Sequence, residues 1–137
     1  MRTDKDVEAY LLRLKRRFQS VDAGAATFLV QTSGGMPAIA IRVDPPLVVV
    51  RVHIGDVEKG AAPVELFRAL LELNARQLVH SSYGLDDGRV VLSSALELEN
   101  LDFNELQATL DEIDVVLAQQ LPELARLAKD SLKTKVS

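Results

Sequence analysis

The sequence IAIRVDPPLVVVRVHI, residues 39–54, decides the fold class of this chain. Both halves are rich in β-branched residues, which favour strands, and Asp44-Pro45-Pro46 predicts a turn between them. We therefore predict strands at 37–44 and at 47–54. The connection between them is short, so the pair is antiparallel, because parallel strands need a longer crossover.

The second of these strands carries different residues on its two faces. Its first residues, 47–50, are all apolar, which is typical of a central strand buried on both sides. After them the pattern alternates, because successive side chains of a strand point to opposite faces. One face carries Val50, Val52 and Ile54, and the other carries Arg51 and His53.

Upstream of this pair the pattern predicts a helix and one more strand. Apolar residues recur every three or four positions over 7–21, behind an N-cap at Thr3 or Asp4, which indicates one amphipathic helix. Residues 25–32 are strand-forming, and Ser33-Gly34-Gly35 predicts the turn to the next strand. The three strands form an antiparallel meander.

Downstream, the pattern predicts a second helix and a hairpin. The helix at 64–75 is apolar over more than half of its circumference, so it must be covered on two sides. In a chain this small, such a helix indicates a subunit interface as much as a core. Strands at 79–85 and 90–98 then flank Asp86-Asp87-Gly88-Arg89, which is a strong turn sequence.

The last helix has the clearest start of the three. Asp102 and Glu105 have the spacing of a capping box, with Leu101 and Leu106 as the hydrophobic staple. Pro122 removes one backbone donor and is expected to kink or break the helix near 118–121.

The element order is helix, three strands, helix, two strands, helix. We predict one α+β domain over 1–137, an antiparallel sheet packed by helices, with an ordered core at about 3–130 and a frayed tail at 131–137.

Composition narrows the range of functions. The 137 residues include no cysteine, which excludes disulfides and thiolate sites. Their net charge of −4 argues against nucleic-acid binding. Every charged residue from Glu97 through Glu123 is acidic, which indicates a solvated helix face or a surface that steers a basic partner. The N-terminus has no signal-peptide pattern and no apolar run could cross a bilayer, so we expect a cytoplasmic protein without membrane insertion.

The sequence contains no constellation of catalytic residues. His53 and His80 lack partners at metal-ligand spacing, and Gly34-Gly35 lies between two strands rather than in a phosphate-binding loop. Asp86-Asp87-Gly88 lacks the later ligands of a calcium loop, so a hairpin turn explains it. We therefore predict no catalytic residue, no metal site, no cofactor and no enzyme activity.

Taken whole, the pattern resembles the type III secretion chaperone-like fold over about residues 3–130. The residues that carry the resemblance are Leu70-Leu71-Glu72-Leu73-Asn74, the hairpin at 83–92 and the acidic entry to the last helix at 98–105. Within that fold the chain is similar to class I secretion chaperones of the Tir-chaperone (CesT) type and to YbjN-like proteins.

The resemblance implies a homodimer that holds an extended segment of a protein partner, a secreted effector or a regulatory protein, without ATP hydrolysis. It also implies that the second helix and the neighbouring strand pair build the dimer. The dimer residues expected on this basis are Leu66, Phe67, Leu70, Leu73 and Val79. For partner contact we expect the outer face of the sheet, with Ile39, Ile41, Val49 and Arg51.

A second interpretation remains open from the sequence. A YbjN-like regulatory or sensory domain would bind a signalling partner, or a small ligand between the helices and the sheet. The polar groups that such a ligand would meet are Arg42, Arg51 and His53.

Overall fold

A computed structural model describes residues 2–22, 26–32, 36–57 and 63–136 of the chain. Over these residues the elements are α1 (Asp4–Arg13), β1 (Phe18–Asp22), β2 (Ala26–Val30), β3 (Ile39–Asp44), β4 (Leu47–Asp56), α2 (Val64–Arg76), β5 (Ser82–Asp86), β6 (Arg89–Glu97) and α3 (Phe103–Val136). The strands form one antiparallel sheet in the order β1-β2-β3-β4-β6-β5. The predicted α+β class is confirmed, with one strand more than expected. The expected turn at 33–35 and most of the expected loop at 55–62 lie outside the described residues.

The predicted long first helix is wrong in its second half. Helix α1 ends at Arg13, and Lys15 then adopts a positive φ of 59°, which turns the chain out of the helix. Phe18 begins β1 and pairs with Val30. Its ring packs edge-on against Phe28 with 5.8 Å between centroids, so its apolar side chain serves a cross-strand contact rather than a helix face.

All three described helices pack against one face of the sheet, which we call the inner face. The register pairs Ile41 with Val50 and Val50 with Ser94, so alternate residues of the central strands line that face together. The side chains that are fully or almost fully buried there come from strands and helices alike: Val7, Leu11, Val30, Ile39, Ile41, Val48, Leu92, Leu101, Leu106, Leu110, Ile113 and Leu117. Each such side chain contributes roughly 1.5–3 kcal/mol by its removal from water.

The hairpin between β5 and β6 forms at the predicted turn. Asp87 and Gly88 both have positive φ, 51° and 77°, as a two-residue type I′ turn requires. The first strand is shorter than expected, because the N–H groups of Val79 and His80 donate to the carboxylate of Glu112 instead of to a neighbouring strand.

Helix α3 begins with the predicted capping box. The Asp102 N–H donates to the Glu105 carboxylate at 3.2 Å, and the Glu105 N–H donates to the Asp102 carboxylate at 2.7 Å. Of the kink or break expected at Pro122, the break is not found, since the helix continues to Val136. The frayed tail expected at 131–137 stays a prediction. Ala118 and Pro122 lie on the exposed side of the helix, where water can satisfy the carbonyl that loses its partner.

Candidate protein-binding surfaces

The residues expected at a dimer interface do not share one surface. Leu66 and Leu70 point from α2 into the core and are buried within the chain. Phe67 and Leu73 are partly buried against that core, whereas Val79 is 81% exposed in the segment after α2. The core therefore uses the first two residues, and no partner is needed to cover them.

A set of apolar side chains that shares only Phe67 with the expected residues lies at the surface at this end of the molecule. We define the α2–β5 surface by Val64, Phe67 and Leu71 of α2 and Leu85 of β5. Leu71 is 68% exposed, and Val64 and Leu85 are each more than half exposed. A groove of about 250 Å³ runs between the helix and the strand and is lined almost entirely by apolar atoms. Sequence reasoning identified the over-apolar helix but not which of its sides faces solvent.

The charged side chains on the exposed part of α2 alternate in sign. Glu65, Arg68, Glu72 and Arg76 follow one another at spacings of three or four residues, and all four are exposed. Residues at these spacings lie along one side of a helix. The apolar surface is thus bordered by a row of charges that reads negative, positive, negative, positive.

The edge of the sheet beside α2 is closed by a side chain. Strand β5 is the terminal strand, and the Tyr83 N–H donates to the Asn74 Oδ1 at 2.7 Å, while the Asn74 Nδ2 donates to the Tyr83 carbonyl at 3.0 Å. The Tyr83 hydroxyl donates to Gln120 at 2.6 Å, and Gln120 donates to Gln77 at 3.3 Å. Burial raises the pKa of Tyr83 to about 12. These contacts tie β5 to both α2 and α3.

The opposite edge of the sheet presents backbone groups instead. The Gln31 N–H donates to the Arg17 carbonyl at 2.9 Å, which sets the alternation of hydrogen-bonded pairs between β1 and β2. By that alternation Gln19 bonds to β2, whereas the N–H and C=O of Phe18 and Ser20 point away from the sheet. Among the described residues no strand pairs with these groups, so β1 is a template for another strand along this edge, which we call the open edge.

An ion pair holds the segment just before this open strand. Arg16 Nη2 lies 2.5 Å from the Asp114 carboxylate and 3.4 Å from that of Asp111, both on α3. The Arg16 side chain is only 15% exposed, so solvent screens the contact with Asp114 less than it screens a surface pair. The start of β1 is thereby fixed to the longest helix.

The residues expected to contact a partner are divided between the two faces of the sheet. Ile39 and Ile41 lie on the inner face and are fully buried, so the expectation that they belong to the outer face is wrong. The reason is the register, which pairs Ile39 with Val52 and Ile41 with Val50. Val49 and Arg51 do lie on the outer face, which none of the described helices covers.

The three polar residues expected for a small ligand also lie on the outer face, not between the helices and the sheet. Arg42 is 3.8 Å from the carboxylate of Asp44, Arg51 is 2.9 Å from that of Asp86, and His53 is 3.0 Å from that of Asp56. Each thus faces an acidic group, and the space on the inner side is filled by the core. The three do not form an anion-binding pocket.

Two further observations concern the described ranges only. Among those residues, no group of three or more His, Asp or Glu side chains is placed to hold a metal ion. None of their helices combines the length and the apolar character that crossing a bilayer requires.

Comparison with known proteins gives a family and a set of similar folds. The family model described as CesT_Tir_1 matches residues 1–130. No curated protein matches the sequence. A chain of the heterodimeric ExoU–SpcU complex from the type III secretion system of Pseudomonas aeruginosa is 20% identical, with a TM-score of 0.65 over 85% of this chain and 95% of that one.

Two other solved structures share the fold at 13% identity. A chain of the HopA1–SchA chaperone–effector complex has a TM-score of 0.54 over 92% of each chain. YbjN from E. coli has a TM-score of 0.57 over 96% of this chain and 92% of that one.

Proposed function

The chain belongs to the CesT_Tir_1 family, and on that premise we propose that it is a non-enzymatic, chaperone-like module that binds an extended segment of a protein partner. The observation that carries the proposal is the open edge of β1. An extended peptide gains affinity there by backbone hydrogen bonding, and neighbouring pockets then select its alternate side chains. The heterodimeric ExoU–SpcU complex and the HopA1–SchA chaperone–effector complex, each of which contains this fold, support the choice of a protein as partner.

Two residues of β1 supply the hydrogen bonds. The N–H and C=O groups of Phe18 and Ser20 face the open edge, so a partner strand can pair with both residues without breaking any bond to β2. Each such bond contributes about 0.5–1.5 kcal/mol net. Binding of useful strength therefore also needs side-chain contacts. The outer-face residues Val49 and Arg51 lie on β4, with β2 and β3 between them and the β1 edge, so they contribute only if the partner also crosses the outer face.

The second part of the proposal is that the protein is a homodimer through the α2–β5 surface. An antiparallel contact about a two-fold axis near Leu70 and Leu71 places Glu65 of one copy opposite Arg76 of the other. The same contact brings Arg68 opposite Glu72. Every exposed charge of α2 thus meets its opposite, which is what a self-complementary interface requires.

The partner site is tested with two proline variants at matched edge positions. Ser20→Pro removes an N–H that faces the open edge of β1, and Leu85→Pro removes one that faces outwards on β5. We expect a tagged Ser20→Pro chain to lose the partner that co-purifies with the wild type from its host, while Leu85→Pro retains it. Thermal melts of both variants verify that they are folded.

Amide hydrogen exchange on the isolated complex gives the decisive measurement. A bound partner strand should slow exchange at Phe18 and Ser20, whereas Gln19 is already protected by β2. Unchanged exchange at Phe18 and Ser20, together with undiminished binding by folded Ser20→Pro, would show that the partner does not use this edge.

The dimer is tested by a charge placed on one of two equally exposed leucines. Leu71 and Leu12 are 68% and 64% exposed, but only Leu71 belongs to the α2–β5 surface. We expect Leu71→Glu to sediment as a monomer and Leu12→Glu to sediment like the wild type. If both variants keep the wild-type mass, the interface lies elsewhere.

A further inference from the structure

We propose that Asn74 closes the β5 edge, so that this side of the molecule accepts apolar side chains of a second copy but refuses an incoming strand. The inference rests on the proposed function, because it assigns strand binding to the β1 edge and self-association to the α2–β5 surface. It concerns a residue that makes one terminal strand of the sheet unlike the other.

The geometry of the Asn74 side chain imitates that of a neighbouring strand. Along β5, the pairing with β6 uses alternate residues, so the N–H and C=O of Tyr83 point to the free edge. The Asn74 carboxamide offers one acceptor and one donor, as a peptide group does. Its 2.7 Å and 3.0 Å bonds to Tyr83 fill both positions that a partner strand would need at that residue.

Other contacts of α2 and β5 fix the positions of Asn74 and Tyr83. Leu70 lies one turn before Asn74 on α2 and is buried in the core, which fixes the side of the helix that faces β5. The Tyr83 side chain is anchored independently, because its hydroxyl donates to Gln120 of α3. Neither the helix nor the strand can shift without breaking one of these contacts.

Closure of the edge has two consequences for what can cover the groove beside it. An unpaired backbone N–H or C=O that is buried under apolar side chains loses its bonds to water, which opposes association. Because Asn74 satisfies the Tyr83 groups beforehand, apolar side chains of a second copy can cover the groove without that loss. A strand, by contrast, would have to displace Asn74 and leave its amide without partners.

The part of the β5 edge that Asn74 does not cover is too short to pair with another strand by itself. Strand β5 ends at Asp86, so beyond Tyr83 only Leu85 still directs its N–H and C=O outwards. Strands usually pair over three residues or more. Strand addition therefore requires the Tyr83 position to be free.

Two variants of Asn74 separate this role from general stability. Asn74→Ala removes both hydrogen bonds to Tyr83. We expect the backbone amide of Tyr83 to exchange roughly tenfold faster in this variant, which is the order of magnitude of protection that one hydrogen bond provides. Asn74→Asp keeps the acceptor but loses the donor, so it should retain protection of that amide. Wild-type exchange rates at Tyr83 in Asn74→Ala would overturn the proposal.

The second readout is the size of the assembly. We expect Asn74→Ala to form species larger than the wild type as its concentration rises. A second change, Leu85→Pro, should suppress them by removing an outward N–H, whereas Leu85→Ala, which shortens the same surface side chain but keeps its N–H, should not. If Asn74→Ala keeps the wild-type mass at every concentration, or if Leu85→Pro leaves its larger species unchanged, the edge is not what Asn74 protects.

These outcomes are distinct from a failure of the proposed function. A wild-type protein that is monomeric, or that binds no partner at β1, would contradict the function while leaving the exchange comparison at Tyr83 intact. Should Asn74→Ala fail to fold, Asn74→Leu takes its place, because it keeps the volume of the side chain and removes both bonds to Tyr83. Wild-type exchange at the Tyr83 amide in Asn74→Leu would then overturn the proposal.

Discussion

The two edges of the sheet differ in what they present to solvent. At the β1 edge the N–H and C=O groups of Phe18 and Ser20 point away from the sheet. The ion pair between Arg16 and Asp114 joins the start of this strand to α3. At the β5 edge the backbone of Tyr83 is already paired by Asn74, and the exposed groups are apolar side chains. One sheet thus offers a site for hydrogen bonding at one end and a site for hydrophobic burial at the other.

Under the proposed function, this difference keeps two associations apart. Backbone pairing at β1 would select a partner by its extended conformation and tolerate differences in its sequence. Burial at the α2–β5 surface would select by shape and charge, since the alternating charges of α2 are complementary to those of a second copy. If both edges were open, strands could pair at either end and the chains could assemble without limit.

The largest expected effect comes from comparing a leucine of the core with a leucine of the α2–β5 surface. Leu11 of α1 is fully buried, whereas Leu71 of α2 is 68% exposed. We expect Leu11→Ala to lower the free energy of unfolding by about 2–5 kcal/mol through lost burial and the cavity left behind. Leu71→Ala should change the stability of one folded chain by no more than about 0.5 kcal/mol and act instead on self-association.

Urea unfolding and sedimentation, applied to both variants, make the comparison. The expected pattern for Leu11→Ala is a lower urea midpoint with unchanged mass. For Leu71→Ala we expect a reduced mass and, at protein concentrations where the wild type is also monomeric, little change in the urea midpoint. A large loss of monomer stability in Leu71→Ala would mean that this side chain belongs to the core and not to a binding surface.

A smaller effect is expected at Tyr83, the residue on which the closed edge depends. Tyr83→Phe removes the hydroxyl that donates to Gln120 and leaves a buried amide oxygen without its partner. We expect a loss of about 1–3 kcal/mol in the free energy of unfolding. Chemical denaturation of this variant and the wild type at neutral pH measures it.

The pH dependence of the free energy of unfolding gives a second test of Tyr83. Burial raises the pKa of Tyr83 from 10.0 to about 12, so between these values the unfolded chain has released a proton that the folded chain retains. Stability from this group is complete below pH 10 and falls as the pH rises towards 12. The difference in stability between the wild type and Tyr83→Phe should therefore shrink over that range. A difference that stays constant would contradict the burial of the hydroxyl.

Local sequence signals predicted several elements correctly. The turn at Asp87-Gly88 and the capping box of Asp102 and Glu105 depend on residues within four positions of each other, and both form as expected. The alternation that placed Arg51 outwards was also correct. The same alternation puts Ile39 and Ile41 on one face of β3, and the pairing with Val52 and Val50 places that face inwards.

Other features depend on contacts that the sequence does not disclose. Phe18 and Val21 are three residues apart, a spacing that continues the helical pattern of α1, and only pairing with β2 makes the segment a strand. Asn74 gives no sign in the sequence that it bonds to the backbone of Tyr83, because that contact exists only once α2 and β5 lie side by side. The closed edge is thus a product of tertiary structure.

The smallest expected effects compare two arginine ion pairs, one beside the β1 edge and one on the outer face. The Arg16 side chain is 15% exposed against Asp114 at 26%, whereas Arg51 and Asp86 are both about half exposed. We expect Arg16→Gln to cost about 1 kcal/mol and Arg51→Gln less than about 0.5 kcal/mol, because solvent screens the second pair more strongly. Added salt should narrow the gap between Arg16→Gln and the wild type only slightly.

The same Arg51 variant also tests partner binding on the outer face. Since Arg51→Gln leaves the fold almost unchanged, a loss of partner binding in that variant would come from a missing contact on the outer face. Undiminished binding would show that the partner does not depend on Arg51.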